Sequence, residues 1–147
     1  MKRPNSMSNI TENRKVYLTR VYSLSAAHRL GSPYLSDEEN DKLYGKCGRS
    51  SGHGHNYTLK LTLSGTADPL TGMLADIREI DDVVKKHIME PLDHKNLNVE
   101  LKTLKVLTSE TLLAELWSRL APHIKNKKIH ILELEETRKN NFKYYGN

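Results

Sequence analysis

The sequence predicts an α+β domain, a four-stranded antiparallel sheet with two helices on one of its faces. Two observations carry this reading. Apolar and polar residues alternate with the strand period in two runs near the start and two near the end. Between them lie two segments whose apolar residues recur at helical spacing. The resulting order is β, β, α, α, β, β, and amphipathic elements in that order must cover one another. The 147 residues are enough for one domain with a sizeable core.

The first 14 residues are polar, have no apolar signal region, and read as a disordered arm before a single domain over residues 15–147. The first strand is the alternating run Lys15 to His28. The polar segment Gly31 to Gly52 reads as a long loop, with Ser36 placed to start a short helical turn before Asp37-Glu38-Glu39. Loops of this length in compact domains are usually functional or disordered, and Cys47 within this one favours function. The second strand sets Tyr57, Leu59, Leu61 and Leu63 against Thr58, Lys60, Thr62 and Ser64, and the turn signal Gly65 to Pro69 ends it.

Thr71-Gly72-Met73 is a further turn. Asp76 or a neighbour starts a helix to about Met89, with Ile77, Ile80, Val83, Val84, His87 and Ile88 as its stripe and Pro91 as its stop. Leu92 to Asn98 reads as a loop. Thr108 or Ser109 caps a second helix with the stripe Leu112, Leu113, Leu116, Trp117 and Leu120, ended by Pro122. A third strand covers about Lys128 to Thr137, and Asn140-Asn141 turns the chain into a last strand through Tyr144.

The net charge of +5 resides largely at the two ends of the chain. No basic stripe interleaved with aromatics exists, which argues against nucleic-acid binding, while a basic surface suits an anionic small substrate. No apolar run approaches the roughly 20 residues of a membrane span. Cys47 is the only cysteine, so no intrachain disulfide forms, and a reducing, cytoplasmic setting is the natural expectation.

The chemistry concentrates at Cys47-Gly48-Arg49-Ser50-Ser51-Gly52-His53-Gly54-His55-Asn56-Tyr57. His53 and His55 share parity with the apolar face of their strand, so their imidazoles point the same way. If the first two strands are antiparallel neighbours, His28 at the end of the first faces both. Neutral imidazole is the commonest metal-ligating side chain, and three protein ligands with one open position make a catalytic zinc site. Cys47, between Lys46 and Arg49, reads as a nucleophile, a proton-transfer group or a fourth ligand that would close the site. Asp93-His94 reads either as an oriented acid/base pair or as a loop where Asp93 binds local backbone. Glu136 shares parity with Leu132 and Leu134, and a carboxylate on a covered face is costly unless paired or bound to a ligand; the alternative is an exposed charge at the end of the strand.

These residues resemble one known family. Ser25-Ala26-Ala27-His28-Arg29-Leu30, the spacing of Cys47 to His53-Gly54-His55-Asn56-Tyr57, Leu92-Asp93-His94-Lys95-Asn96-Leu97, Thr108-Ser109-Glu110 and Glu136-Thr137 occur in the order found in 6-pyruvoyl-tetrahydropterin synthases. The resemblance covers roughly Tyr17 to Gly146. It implies the tunnelling fold, in which three sheets join as a twelve-stranded barrel and two trimers stack as a homohexamer. It implies zinc on His28, His53 and His55, and a proton-transfer group of Cys47, Asp93 and His94 assembled between subunits. It implies that Glu136 anchors a pterin ring, with Thr108, Ser109 and Glu110 near the pterin pocket. The substrate implied is 7,8-dihydroneopterin triphosphate, which loses triphosphate as its side chain rearranges to two carbonyls. On charge alone, and not from the resemblance, Lys46 and Arg49 are expected to help hold the triphosphate.

Gly48-Arg49 is closer to the bacterial 6-carboxy-tetrahydropterin synthases. Their cysteine usually stands three residues before the histidine pair, whereas five residues, Gly48 to Gly52, separate Cys47 from His53 here. That spacing favours the pyruvoyl branch. A reading from another class is a non-catalytic, zinc-stabilised oligomerisation module with Cys47 as fourth ligand.

Overall fold

The computed structural model describes residues 14–147; residues 1–13, and with them nearly all of the expected arm, lie outside the described part. The sheet has five strands in the order β3-β1-β2-β4-β5. The two long strands β1 (Lys15–His28) and β2 (His53–Thr66) pair antiparallel along their whole length, from Lys15 opposite Thr66 to His28 opposite His53. β4 (Lys128–Thr137) pairs antiparallel with β2, and β5 (Asn140–Tyr144) with β4. These four strands run where the alternation predicts them.

The fifth strand corrects the expectation of a four-stranded antiparallel sheet. Lys95–Asn96, expected as loop, forms β3 and pairs parallel with Ala26 and Ala27 at the outer edge of β1. Two residues are too few to show a period, and the pairing depends on a partner nearly 70 positions away. The sheet is therefore mixed.

The loop between β1 and β2 is also more ordered than expected. α1 (Asp37–Tyr44) starts at Ser36, whose hydroxyl accepts from the Glu39 N–H while the Glu39 carboxylate accepts from the Ser36 N–H. This reciprocal pair satisfies two of the N–H groups a helix start leaves without partners. α1 buries no residue, so no apolar stripe marks it. A 3₁₀ turn, Gly45–Gly48, follows and carries Cys47.

α2 (Ile77–Val84) is capped by Asp76, whose side chain accepts from the Arg78 N–H. Ile77, expected on the buried stripe, is 44% exposed. Pro91 does not end the helical run. The chain widens into a π turn at Lys85–Met89, then continues through α3 (Glu90–Leu92). Pro91 lacks the N–H an α-helix would use there, and the wider turn before it carries the helical path past it. The ring of His87 stacks on His123, with centroids 3.7 Å apart and planes 9° apart. That contact agrees with a structural role for His87.

α4 (Leu97–Glu100) is a single turn capped by Asn96. α5 (Ser109–Leu120) is capped by Thr108, which accepts from the Thr111 N–H. Leu112, Leu113, Leu116 and Leu120 of α5 and Val84, Ile88 and Leu92 pack on Leu24, Leu59, Leu61, Leu63, Leu132 and Leu134 of the sheet, all buried. Each such leucine contributes on the order of 1.5–3 kcal/mol by leaving water. The packed face is the one that carries His28, His53 and His55 at the strand ends. Among the described residues no helix is long and apolar enough to cross a membrane.

Candidate metal centre

Antiparallel pairing brings the three histidines together. His28, the last residue of β1, stands directly opposite His53, the first of β2, and His55 stands opposite Ala26. Directly opposed residues share a sheet face, so all three rings lie on the core side. Their centroids are 4.6, 5.1 and 4.8 Å apart, and one nitrogen from each lies within 4.8 Å of the others.

Gly52 permits this approach. Its φ is +69°, and a Cβ there would lie 3.1 Å from the His28 carbonyl oxygen. Only glycine adopts that backbone without cost and leaves room for the neighbouring strand.

The nitrogens are set for a ligand. His28 Nδ1 lies 3.2 Å from the carbonyl oxygen of Leu107, an acceptor, so Nδ1 carries the hydrogen and Nε2 keeps its lone pair for the cluster. His28 Nε2, His53 Nδ1 and His55 Nε2 are each buried with no hydrogen-bond partner. Burial holds His28 neutral, and crowding by His53 and His55 adds to it, so its pKa falls from the ordinary 6.5 to about 4. Burial lowers His55 as well, against the pull of Glu136. Neutral imidazoles with orphaned nitrogens fit a borderline metal ion such as zinc.

Glu136 borders the cluster. β4 and β5 slip register between Glu135 and Thr137, and Glu136 falls in the resulting bulge. Bulges re-aim side chains. This one places Glu136 Oε1 3.6 Å from His55 Nε2 and 3.9 Å from His28 Nε2. Ser109 Oγ donates to Oε1 at 2.9 Å, and Asn140 Nδ2 donates to Oε2 at 3.3 Å. Burial pushes the carboxyl pKa up, but these hydrogen bonds and the two imidazoles outweigh it and hold the group below its usual value.

The other expected site residues are dispersed. Ser109 is 3% exposed and joins the site through Glu136. Thr108 is occupied as the cap of α5, and Glu110 is exposed in its first turn. Asp93 Oδ1 accepts from the Ser25 N–H at 2.9 Å, and its Oδ2 lies 3.6 Å from His94 Nε2. His94 has φ +57° and an 81% exposed side chain. A non-glycine residue in that region is strained, and such strain clusters at functional sites. Asp93 thus stands beside the imidazole, and the backbone it binds is that of β1, 68 positions away, rather than the local backbone of its own loop.

Cys47 is half-buried, and its carbonyl accepts from the Leu30 N–H. It is outside the three-histidine group, and among the described residues no hydrogen bond joins it to Asp93 or His94. A cleft of about 440 Å³ lined by Ser25, Gly54, His55, Asn56 and His94 lies where β1, β2 and β3 come together. Lys46 and Arg49 are exposed and line neither this cleft nor the larger cavity of about 790 Å³ that holds Arg29, Lys102 and Lys105.

Two contributors escape sequence reading. The Leu107 carbonyl that orients His28 is a backbone group nearly 80 residues away and leaves no sequence signal. Tyr57 is 1% exposed, its ring 5.3 Å from that of His55, and its hydroxyl is buried without a hydrogen-bond partner. Its signal was a hydroxyl two residues after His55 on the same strand face.

Comparison with known proteins agrees with this arrangement. The family model for 6-pyruvoyl tetrahydropterin synthase matches residues 17–147. The chain is 41% identical over 143 residues to the 6-pyruvoyl tetrahydrobiopterin synthase of Poecilia reticulata, covering 96% of this chain and 97% of that one. It is 39% identical over 131 residues to the enzyme of the same name from Homo sapiens, covering 88% and 90%. The solved structure of Caenorhabditis elegans 6-pyruvoyl tetrahydropterin synthase superposes with a TM-score of 0.85 at 37% identity, covering 91% of this chain and 97% of that chain. With this sequence match along nearly its whole length, and three histidines gathered on one sheet face, the chain belongs to the 6-pyruvoyl tetrahydropterin synthase family.

Proposed function

We propose that this protein converts 7,8-dihydroneopterin triphosphate to 6-pyruvoyl-tetrahydropterin with elimination of triphosphate, a step toward tetrahydrobiopterin, and that it is a carbon–oxygen lyase. The observation that carries this is the cluster of three histidines with orphaned ring nitrogens, bordered by an anchored carboxylate, in a chain of this family.

His28, His53 and His55 would hold zinc. The ion supplies Lewis acidity, which weakens the C–H and O–H bonds next to side-chain oxygens. Cys47 is proposed to take the proton from the side-chain carbon, and His94, oriented by Asp93, to accept it from the thiol. The electron pair left on carbon moves through the side chain as the C–O bond to triphosphate breaks. The ring is reduced at the expense of the side chain, so no external hydride donor enters. Glu136 is proposed to accept pterin N–H groups from its fixed place beside the histidines, with Thr108, Ser109 and Glu110 at the pterin side.

Cys47 lies beyond the end of β1, and Asp93-His94 lies along its outer edge. We therefore propose that this group is completed between neighbouring chains, in a homohexamer of two stacked trimers with the tunnelling-fold barrel. The outer edge of β1 supports it: among the described residues only Ala26 and Ala27 are paired there, and Val16, Tyr17 and Val21 are 40, 54 and 58% exposed. Closure into a barrel removes such edges. A reducing, cytoplasmic setting suits the single free thiol.

Incubation with 7,8-dihydroneopterin triphosphate tests the reading. One triphosphate and one 6-pyruvoyl-tetrahydropterin per turnover are expected. A carboxylated pterin with acetaldehyde would assign the protein to the 6-carboxy branch, and zinc binding without turnover would leave the oligomerisation module.

A further inference from the structure

The contact between α5 and the bulge of β4 gives Ser109 a role distinct from substrate contact. Ser109 is 3% exposed, and its Oγ donates to Glu136 Oε1 at 2.9 Å. That oxygen is the one turned toward His28 and His55, at 3.9 and 3.6 Å. The only other hydrogen bond to this carboxylate among the described residues comes from exposed Asn140, at 3.3 Å on the far oxygen. Glu136 is in a register irregularity, so ladder bonds do not fix its side-chain direction. Thr108, one residue before Ser109, is locked by its reciprocal bonds with Thr111, and this fixes the start of α5. Ser109 thus sits between a rigid helix start and the one carboxylate at the histidine cluster.

We propose that Ser109 is a positioning residue that acts through Glu136: it fixes the carboxylate against the three histidines and does not itself bind the substrate. The role rests on the function proposed above only for its kinetic consequence. A hydrogen bond to a charged group is among the stronger ones, and Ser109 is the buried partner. Its loss should free the carboxylate to rotate toward solvent while the histidines stay in place.

The test is a double-variant cycle on the full-length protein, with Ser109→Ala, Ser109→Thr, Glu136→Gln and the Ser109→Ala, Glu136→Gln pair. Ser109→Ala should keep its zinc content and thermal midpoint and lose roughly 10- to 100-fold in kcat/KM. Ser109→Thr keeps the hydroxyl and should recover most of that loss. In the Glu136→Gln background, Ser109→Ala should cost less than about twofold, because effects through one group are not additive. Losses that multiply in the pair, or Ser109→Thr as impaired as Ser109→Ala, would overturn the proposal. Cobalt(II) loaded in place of zinc gives a readout without substrate. Ser109→Ala and Glu136→Gln should shift its visible spectrum alike, and an unshifted Ser109→Ala spectrum beside a shifted Glu136→Gln spectrum would also overturn it. If the wild-type protein fails to turn over the substrate, the proposed function fails, and the cobalt spectra still decide the positioning role.

Discussion

Acidification of the metal-free protein provides a quantitative test of the histidine cluster. In the fold, burial and the neighbouring imidazoles hold His28 neutral down to a pKa of about 4, against 6.5 in an unfolded chain. Between these values the unfolded chain binds a proton that the folded one refuses. Stability therefore rises with pH across that window and is lost as pH falls from 6.5 toward 4. The gap of 6.5 − 4 = 2.5 pH units, at 1.36 kcal/mol per unit, is about 3 kcal/mol. That is a large part of a typical domain stability of about 5–15 kcal/mol. His55 is lowered too and adds in the same direction. The depressed carboxyls Asp68, Asp76, Asp81 and Glu136 also destabilise on acidification, but that loss begins only in the ordinary carboxyl range, at the acid end of this window, and grows below it. Urea unfolding at several pH values between 7 and 4 should compare chelated wild type with chelated His28→Leu, which fills the space without titrating. Wild type should lose about 3 kcal/mol more than the variant across the window. Parallel pH profiles would mean that His28 is not held neutral by its surroundings. Zinc at 100 times its Kd should restore about 2.7 kcal/mol to wild type near neutral pH.

Cys47→Ala should keep zinc, by metal analysis, and lose roughly 10²–10⁴-fold in kcat, the contribution of a positioned proton-transfer group; release of zinc would make Cys47 a ligand. Gly52→Ala forces a side chain into φ +69° and against the His28 carbonyl, so it should cost about 1–2 kcal/mol in urea unfolding and weaken zinc binding in a chelator competition. An unchanged zinc affinity would show that the backbone there does not set the histidine geometry. Light scattering should report six chains of 16.8 kDa, and a fully active monomer would contradict assembly between chains.

The parts of the fold that were legible in the sequence are those with a repeating local signal. The alternation from Lys15 to His28 and from His53 onward gave both long strands, and their shared face placed three histidines together before any coordinates. Asp76 and Thr108 marked helix starts because side-chain oxygens there meet N–H groups left without partners. What escaped lacks repetition. β3 is two residues long; of α1, which has no buried face, only the start at Ser36 was legible and not its two turns. The π turn that carries the helix past Pro91 depends on backbone geometry that no residue pattern encodes.

The candidate site divides along the same line, and the division bears on mechanism. Residues fixed by strand register, His28, His53 and His55, come together within one chain. Residues fixed by turns and loop ends do not: Cys47 follows α1, while Asp93 is tied to Ser25 and His94 projects into solvent from a strained backbone. A fold that spends strain on an exposed imidazole beside an open sheet edge gains nothing from it within a single chain. The same edge is where the barrel proposed above would seat its neighbour. On that proposal, metal binding would belong to the chain and proton transfer to the assembly. Dilution or interface substitutions that dissociate the protein should abolish turnover while each chain keeps its zinc. Turnover that persists in fully dissociated chains would place the proton-transfer group within one chain and require a rearrangement bringing Cys47 to His94.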